Sequence, residues 1–142
     1  MKRSEALRSL SREHHQALTI AQELRRADDP ERAAARFHEF WGRAGALHFR
    51  IEEEVLLPTW ELLGTVNAEA ASRLAKEHLE LRAAALALGE EPPLAAVREL
   101  GEKLVAHVRF EERELFSLIE ADLGAAELEL LARAVAEAEG SQ

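Results

Sequence analysis

The chain has 142 residues, a formal net charge of −9 at pH 7 and no cysteine. This length allows one domain with a real core, and the lack of cysteine excludes disulfides, iron–sulfur clusters, thiolate zinc sites and thiol catalysis. The acidic balance argues against nucleic-acid binding, and without an apolar leader or membrane-spanning stretch we expect a soluble, cytoplasmic protein.

Helices are predicted throughout the chain, with no strands. Alanine, leucine, glutamate and arginine dominate, and the helix-breaking residues come in clusters. The first helix is predicted over 4–27 and ends at Asp28 and Asp29. Proline fits the first turn of a helix, so Pro30 opens the second helix, which reaches Leu57.

Breakers also delimit the third helix. Pro58 is predicted to end or kink the second helix, and a short turn that contains Trp60 follows. The third helix is predicted over 68–88. Asn67 is a plausible N-terminal cap for this helix, and Gly89 stops it.

A pair of prolines opens the fourth helix, which continues to about Asp122. Gly124 separates it from a short C-terminal helix over about 125–139. Four long helices with short connections predict an all-α fold, an up-down-up-down four-helix bundle over about 4–122, with the last helix packed against its side. We expect a single domain that covers 1–142.

One motif is written twice, as HFRIEEEVLLPTWE from His48 and as HVRFEERELFSLIE from His107. Each copy has a histidine and a glutamate four residues apart, His48 with Glu52 and His107 with Glu111. On a helix this spacing puts the imidazole and the carboxylate on one face, within reach of a common object.

A second repeat lies upstream of each copy, as REHHQAL around His14 and KEHLELR around His78. The chain therefore looks like a duplicated helical hairpin. Superposing two such hairpins brings four histidines and two carboxylates together, and this set of side chains suits a pair of metal ions.

Apolar residues recur every three or four positions in each long helix, and one histidine of each helix falls on that stripe. His15 lies about 100° from the stripe, so an exposed position or a supporting position beside the ligands is expected for it, and the alternative is that it replaces His14 if the first helix is rotated. In the second helix the predicted inward residues are Phe37, Trp41, Ala44, His48, Glu52 and Val55. In the fourth helix they are Val97, Leu100, Leu104, His107, Glu111, Leu115 and Leu118.

Burying these groups without a metal would be costly. An unpaired carboxylate in an apolar interior costs several kcal/mol or must stay protonated, and here two would face each other. Mixed imidazole and carboxylate ligation fits iron, manganese or zinc. A glutamate three residues before a histidine, as in ferritin-type sites, does not occur in this sequence.

These motifs resemble those of the hemerythrin-like, or HHE, domains, which are four-helix bundles that hold a non-heme di-iron centre. The resemblance covers about 7–116. The residues that match the family pattern in order and spacing are His14, His48, Glu52, His78, His107 and Glu111.

The resemblance implies a ligand set for two iron ions. Glu52 and Glu111 would bridge the ions, and an oxo, hydroxo or water bridge would complete the core. The remaining ligands would be His14 and His48 for one ion and His78 and His107 for the other.

Two features depart from the oxygen-carrying hemerythrins. Those proteins have a further histidine where this chain has Leu74, and their fourth-helix acid follows its histidine by five residues, whereas Glu111 follows His107 by four. The resemblance then implies two histidines per ion and a more open site, which puts plain reversible oxygen carriage in doubt.

Three functions remain open at this stage. The protein binds O2, NO or peroxide for sensing, storage or oxidative-stress defence, or it is an enzyme with catalase-like or peroxidase-like activity. The third is a structural bundle that holds zinc or manganese. The expected partners are a small diatomic ligand or peroxide, with no nucleic acid and no membrane, and the expected state is a monomer or a weak homo-oligomer.

Other titratable residues are expected to lie outside the site. His38 is predicted to be a surface or packing histidine. Glu53 and Glu112 directly follow the two motif glutamates. Such residues can contact the ligand histidines, but they more commonly lie on a solvated helix face, and this is the position expected here. The chain has no tyrosine, which excludes a tyrosyl-radical oxidase.

Overall fold

The computed structural model describes residues 3–140, and every regular element among them is helical. Four long helices form a bundle and a fifth packs beside it, which confirms the predicted fold class. We number the helices in chain order. They are α1 (Glu5–Arg25), α2 (30–63), α3 (Ala68–Leu88), α4 (94–122) and α5 (Ala125–Gly140).

The helix boundaries follow the predicted caps. The Asp29 carboxylate accepts a hydrogen bond of 3.1 Å from the backbone N–H of Arg32 at the start of α2. The Asn67 side chain accepts one of 2.9 Å from the backbone N–H of Ala70 at the start of α3. Gly89 ends α3 with a φ of 64°, a left-handed conformation that glycine adopts without a steric penalty.

Three π-helical segments interrupt the two helices that carry the repeated motif. In each, a backbone N–H reaches the carbonyl five residues earlier, so the turn holds one extra residue. The π segments are Trp41–Gly45 and Glu52–Leu56 in α2 and Glu111–Leu115 in α4. Two of them begin at the glutamates of the repeated motif.

The predicted end of α2 at Pro58 is wrong. The helix continues to Leu63, and Trp60 lies in that last stretch instead of in a turn. A proline in a helix lacks the N–H and crowds the carbonyl four residues earlier. Because the π segment Glu52–Leu56 already widens the turn directly before Pro58, the helix accommodates the proline and runs on.

The π segments also displace the predicted inward stripe by one residue. Val55 is only partly buried, whereas its neighbour Leu56 is fully buried. In α4, Leu118 is 36% exposed and Ile119 is fully buried. An inserted residue rotates everything after it by about 100° on a helix, which is the size of this displacement. Within 3–140, the α1 stripe that the same spacing predicts has no such insertion and is buried throughout. It consists of Leu7, Leu10, His14, Ala17, Ala21 and Leu24.

Close helix packing fixes the bundle. α1 contacts α2 and α4, α3 contacts α4, and α5 lies against α1 and α2 through Leu131 and Val135. A Cβ atom at Gly101 of α4 would lie 2.7 Å from the carbonyl oxygen of Ala21 in α1. The two backbones therefore approach closely at this point because residue 101 has no side chain.

The apolar core has two parts, one on each side of a polar layer. The first part contains Ala17, Phe37, Leu81, Leu104 and other residues, and it lies toward the end of the bundle at which α1 connects to α2. The second contains Leu10, Trp60, Leu74, Phe116, Leu131 and their neighbours, and it includes the buried face of α5. On α1 and α3 the site histidine lies between the two clusters in sequence, and on α2 and α4 the histidine and the glutamate flank the change from the first cluster to the second.

Candidate metal centre

The six side chains singled out by the sequence are all buried within the bundle. They are His14, His48, Glu52, His78, His107 and Glu111, and none is more than 6% exposed. Each long helix supplies one of the histidines, and α2 and α4 also supply the glutamates. The predicted inward position of one histidine per helix is confirmed.

These side chains form two overlapping groups in which every residue can offer one ligand atom. The first group contains His14 and His48, and the second contains His78 and His107. Both groups include Glu52 and Glu111, and in each group the four ligand atoms lie within 4.8 Å of one another. The two groups therefore share both carboxylates.

The Nε2 atom of every histidine faces the shared carboxylates. The Nε2 atoms of His14 and His107 lie 2.8 and 2.6 Å from the two oxygens of Glu111. The Nε2 atoms of His48 and His78 lie 3.1 Å from the two oxygens of Glu52. Each histidine thus presents the same ring nitrogen to the centre.

The Nδ1 atom of every histidine faces a second, outer carboxylate. We call Glu13, Glu53, Glu77 and Glu112 the outer carboxylates. The Nδ1–H groups of His14 and His48 donate to Glu112 at 2.5 Å and to Glu13 at 3.3 Å. Those of His78 and His107 donate to Glu53 at 2.6 Å and to Glu77 at 2.7 Å. Such a bond fixes the tautomer that leaves Nε2 free for a metal and orients the ring.

The four outer contacts form a closed ring around the bundle. The carboxylate of α1 reaches the histidine of α2, that of α2 reaches α3, that of α3 reaches α4, and that of α4 returns to α1. Every long helix therefore both donates to and accepts from a neighbour at the level of the site.

Of the two interpretations of Glu53 and Glu112, the favoured one, a solvated helix face, is wrong, and the alternative of contact with the ligand histidines holds, because both hydrogen-bond to histidines of the site. Sequence reasoning also missed the roles of Glu13 and Glu77. A signal was present, since each of these residues directly precedes a histidine in both copies of the upstream repeat. Their histidine partners lie on the next helix, and the pattern along one helix does not indicate contacts with another helix.

Cationic and hydroxyl groups hold three of the outer carboxylates in place. Arg82 donates to both oxygens of Glu53, at 2.7 and 2.9 Å. Arg73 donates to Glu77 at 2.7 Å, and the hydroxyl of Ser11 donates to Glu112 at 2.7 Å. Although burial alone would raise them, these bonds and the histidine contacts lower the pKa values of all three carboxyls.

In the absence of metal the histidines hold protons strongly. Burial lowers the pKa of His14, but the hydrogen bonds with Glu111 and Glu112 outweigh it and raise the pKa from 6.5 to about 9. The same balance raises the pKa of His78 to about 9 and that of His107 to about 10. The pKa of buried Glu111 is held well below its ordinary value, with His107 as the main opposing influence to burial.

Two ligand atoms of the site lack hydrogen-bond partners among residues 3–140. Glu52 Oε1 and His107 Nε2 are fully buried, and neither makes a hydrogen bond of acceptable geometry. Both are close to a neighbour, since Glu52 Oε1 is 3.1 Å from His78 Nε2 and His107 Nε2 is 2.6 Å from Glu111 Oε2. Buried polar atoms that converge without hydrogen-bonding are well suited to a shared cation, so the donor set fits a metal.

Aromatic rings cover the site on both sides. The Phe49 ring stacks on His78 with centroids 3.8 Å apart and planes 3° apart. The Phe116 ring stacks on His14 at 5.4 Å. Leu74, which stands where oxygen carriers have another histidine, is fully buried in the second apolar cluster.

The remaining histidines of the described chain lie away from the site. His15 and His38 are both exposed, as predicted from their phase on α1 and α2. Among residues 3–140, no helix combines the length and the apolar character needed to cross a membrane.

The fold and the site define a class of protein, a four-helix bundle whose buried histidines and glutamates could hold metal ions. The chain belongs to the hemerythrin family, since the family model described as "Hemerythrin HHE cation binding domain" matches residues 5–119. Comparisons with curated proteins and with solved structures gave no match.

Proposed function

We propose that the protein is a non-heme di-iron protein of hemerythrin type that binds O2, NO or peroxide. The observation that supports this proposal is that both four-residue groups contain Glu52 and Glu111. Two ions that share two carboxylates are held side by side, and each ion has in addition two histidines of its own. This arrangement favours a bridged pair of ions over a single ion.

The ligand set is compatible with iron, and the redox chemistry of the proposed function requires it. Imidazole and carboxylate together suit iron, manganese and zinc, and the family match concerns a cation-binding domain without specifying which cation. Iron would supply the redox chemistry and the affinity for diatomic molecules that zinc lacks. Zinc or manganese in a structural role is the alternative that spectroscopy distinguishes.

The side chains of this protein prepare the site in three ways. The outer carboxylates fix the histidine rings with Nε2 toward the centre. The shared carboxylates would offset part of the charge of two cations in an interior that would otherwise disfavour them. The two apolar clusters keep bulk water away from both sides of the polar layer.

A second candidate function is an enzyme that turns over peroxide. Leu74 stands where an additional histidine would coordinate one ion, so each ion has two histidines and two shared carboxylates. A metal ion with open positions can bind and activate a small molecule as well as store it.

Metal content and an absorption spectrum test the proposal directly. We expect two irons per chain, one for each group, and near-ultraviolet charge-transfer bands in the protein as purified. Evolution of oxygen after addition of peroxide would favour the enzyme, and a spectral change without turnover would favour the binding protein. One zinc per chain with a featureless spectrum would refute the di-iron proposal.

A further inference from the structure

A small cavity lies directly beside the candidate metal centre. It measures about 20 Å³ and is lined by side chains from α1, α2, α3 and α4. Most of its wall is apolar, with Ala17, Phe37, Phe40, Leu81, Leu104 and Val108 among the lining residues. At its inner end it borders His14, His48 and His107.

We infer that this cavity is the access path by which an uncharged diatomic molecule reaches the centre, with Trp41 as its outer gate. The inference rests on the proposed function, because it specifies which of the small ligands the site takes up.

The size and the lining of the cavity select the ligand. A volume of about 20 Å³ is enough for one water-sized molecule, and far below the several hundred Å³ of a site for an organic substrate. An apolar wall penalises anions and strongly hydrogen-bonded molecules, because it offers them no replacement for water. O2 and NO meet both conditions better than peroxide or its anion.

Trp41 lies between the cavity and a groove on the protein surface. The indole is partly buried and also borders a surface groove of about 350 Å³, together with His38, Arg82 and Leu86. Trp41 is thus a wall common to the inner cavity and to the surface groove. Displacing this side chain would join the two spaces.

The local backbone is built around the indole. Trp41 opens the π segment Trp41–Gly45, and a Cβ atom at Gly45 would lie 2.8 Å from Cε3 of the indole. Residue 45 therefore has to be glycine for the ring to occupy its place. The ring packs edge-on against Phe49 at 5.0 Å and lies over Phe37 at 6.0 Å.

The cavity reaches the two halves of the centre unequally. It borders both histidines of the first group but only His107 of the second, and the stacked ring of Phe49 covers His78. A molecule that arrives through the cavity would therefore reach the His14 and His48 side of the centre before the His78 side.

Dissolved O2 tests the cavity without depending on iron, because O2 is paramagnetic and relaxes nearby methyl protons. The full chain is loaded with diamagnetic zinc, and methyl relaxation is compared with and without O2. We expect stronger enhancement at Ala17 and Val108 than at Ala70 and Val135, which are buried to a similar extent in the other apolar cluster. Equal enhancement in both clusters would overturn the inference.

Variants of Trp41 test the gate by the rate at which NO changes the spectrum of the reduced, as-purified protein. Trp41→Ala should raise this rate by about tenfold, within the range over which association rates vary among variants of one site. Trp41→Phe should restore most of the original rate. Leu86→Ala is the control, because Leu86 is 86% exposed in the surface groove and does not border the cavity.

The failures of the two proposals are distinguishable. If the protein has no di-iron centre, neither the unmodified protein nor any variant will give the NO signal. The O2 measurement on the zinc-loaded protein would still test the cavity. An NO signal with equal rates in all four proteins would refute Trp41 as a gate and leave the di-iron proposal intact.

Discussion

His14 and Glu112 are 98 residues apart in the sequence, and the Nδ1–H of the histidine donates a hydrogen bond of 2.5 Å to the carboxylate of the glutamate. This contact joins α1 to α4, the first and last helices of the bundle. It closes the ring of outer carboxylates, so the ring is continuous only in the folded bundle. The geometry of the site and the packing of the four helices therefore depend on each other.

Loss of an outer carboxylate is expected to weaken metal binding without unfolding the protein. Glu53→Ala removes the acceptor of the His78 Nδ1–H bond, which orients the ring. Losing such a partner typically lowers metal affinity by about 10–100-fold. Competition with a chelator measures the affinity, and circular dichroism verifies the fold.

The matched control is the next residue. Glu54 is exposed and pairs with Arg50 on the surface, so Glu54→Ala should change affinity little. Equal affinities for the Glu53 and Glu54 variants would show that the outer contact does not position His78.

Removal of a central histidine is expected to cost both metal and stability. His107→Ala takes away the main partner that opposes burial of the Glu111 charge. Breaking a buried ion pair on one side costs about 3–5 kcal/mol, and metal binding is coupled to folding. We expect loss of bound metal and a lower melting temperature. His15→Ala, on the exposed face of α1, should change neither. If His15→Ala lost metal and His14→Ala did not, the ligand from α1 would be His15 and not His14.

The metal-free and metal-loaded proteins should respond to pH in opposite directions. The pKa values of His14 and His78 are raised from 6.5 to about 9 and that of His107 to about 10. Between pH 6.5 and these values the folded metal-free protein holds protons that the unfolded chain has released. Its stability should be highest below pH 6.5 and decline as pH rises through 9–10.

Metal affinity should rise over the same pH range, because imidazole must lose its proton to bind a metal. Thermal unfolding of chelator-stripped and metal-loaded protein from pH 6 to pH 10 measures both trends. A stripped protein that gains stability as pH rises would contradict the charged histidine–carboxylate contacts.

Two glycines on helices should respond to alanine with opposite signs. At Gly101 an added Cβ would lie 2.7 Å from the Ala21 carbonyl and 2.8 Å from the Arg25 backbone nitrogen, and neither of these backbone atoms can turn aside. Overpacking of this kind costs about 1–3 kcal/mol. At Gly42 no atom lies within 4 Å of the added Cβ, so alanine should stabilise the helix by about 0.5–1 kcal/mol. Denaturant unfolding of both variants measures the difference, and a stable Gly101→Ala protein would mean that α1 and α4 are not in close contact.

The sequence predicted the fold class and the inward histidines because both depend on one regular period. In α1 the residues from Leu7 to Leu24 follow a spacing of three and four without interruption, and all of the predicted stripe is buried. The same rule failed after Glu52 and Glu111, where the π segments add a residue. A π turn leaves the composition of a helix unchanged, so a count based on an α-helical period passes over it.

The roles of the outer carboxylates could not be decided from the sequence, for a different reason. A glutamate next to a buried histidine on a helix points about 100° away from it, and this direction commonly leads to solvent. In this bundle it leads to the histidine of the neighbouring helix, as for Glu13 and His48. Only the distance and rotation between helices decide between the two outcomes.

The direction of the ring says something about how this chain arose. Each half of the bundle, 5–63 and 68–122, contributes two histidines, one shared carboxylate and two outer carboxylates to the site. Glu53 and Glu112 each reach a histidine in the other half, so each half alone leaves one of its site histidines without an outer carboxylate.

Two identical hairpins related by a twofold axis would satisfy every one of these contacts, and the present protein has the organisation of such a symmetric dimer joined into one polypeptide. The two halves nevertheless differ in sequence. In the second half, Arg73 lies one turn before Glu77 and donates a hydrogen bond to it. In the first half, Ser9 occupies the equivalent position before Glu13. The longest of the four outer contacts, at 3.3 Å, belongs to that less constrained glutamate, and it lies on the side of the site that borders the cavity.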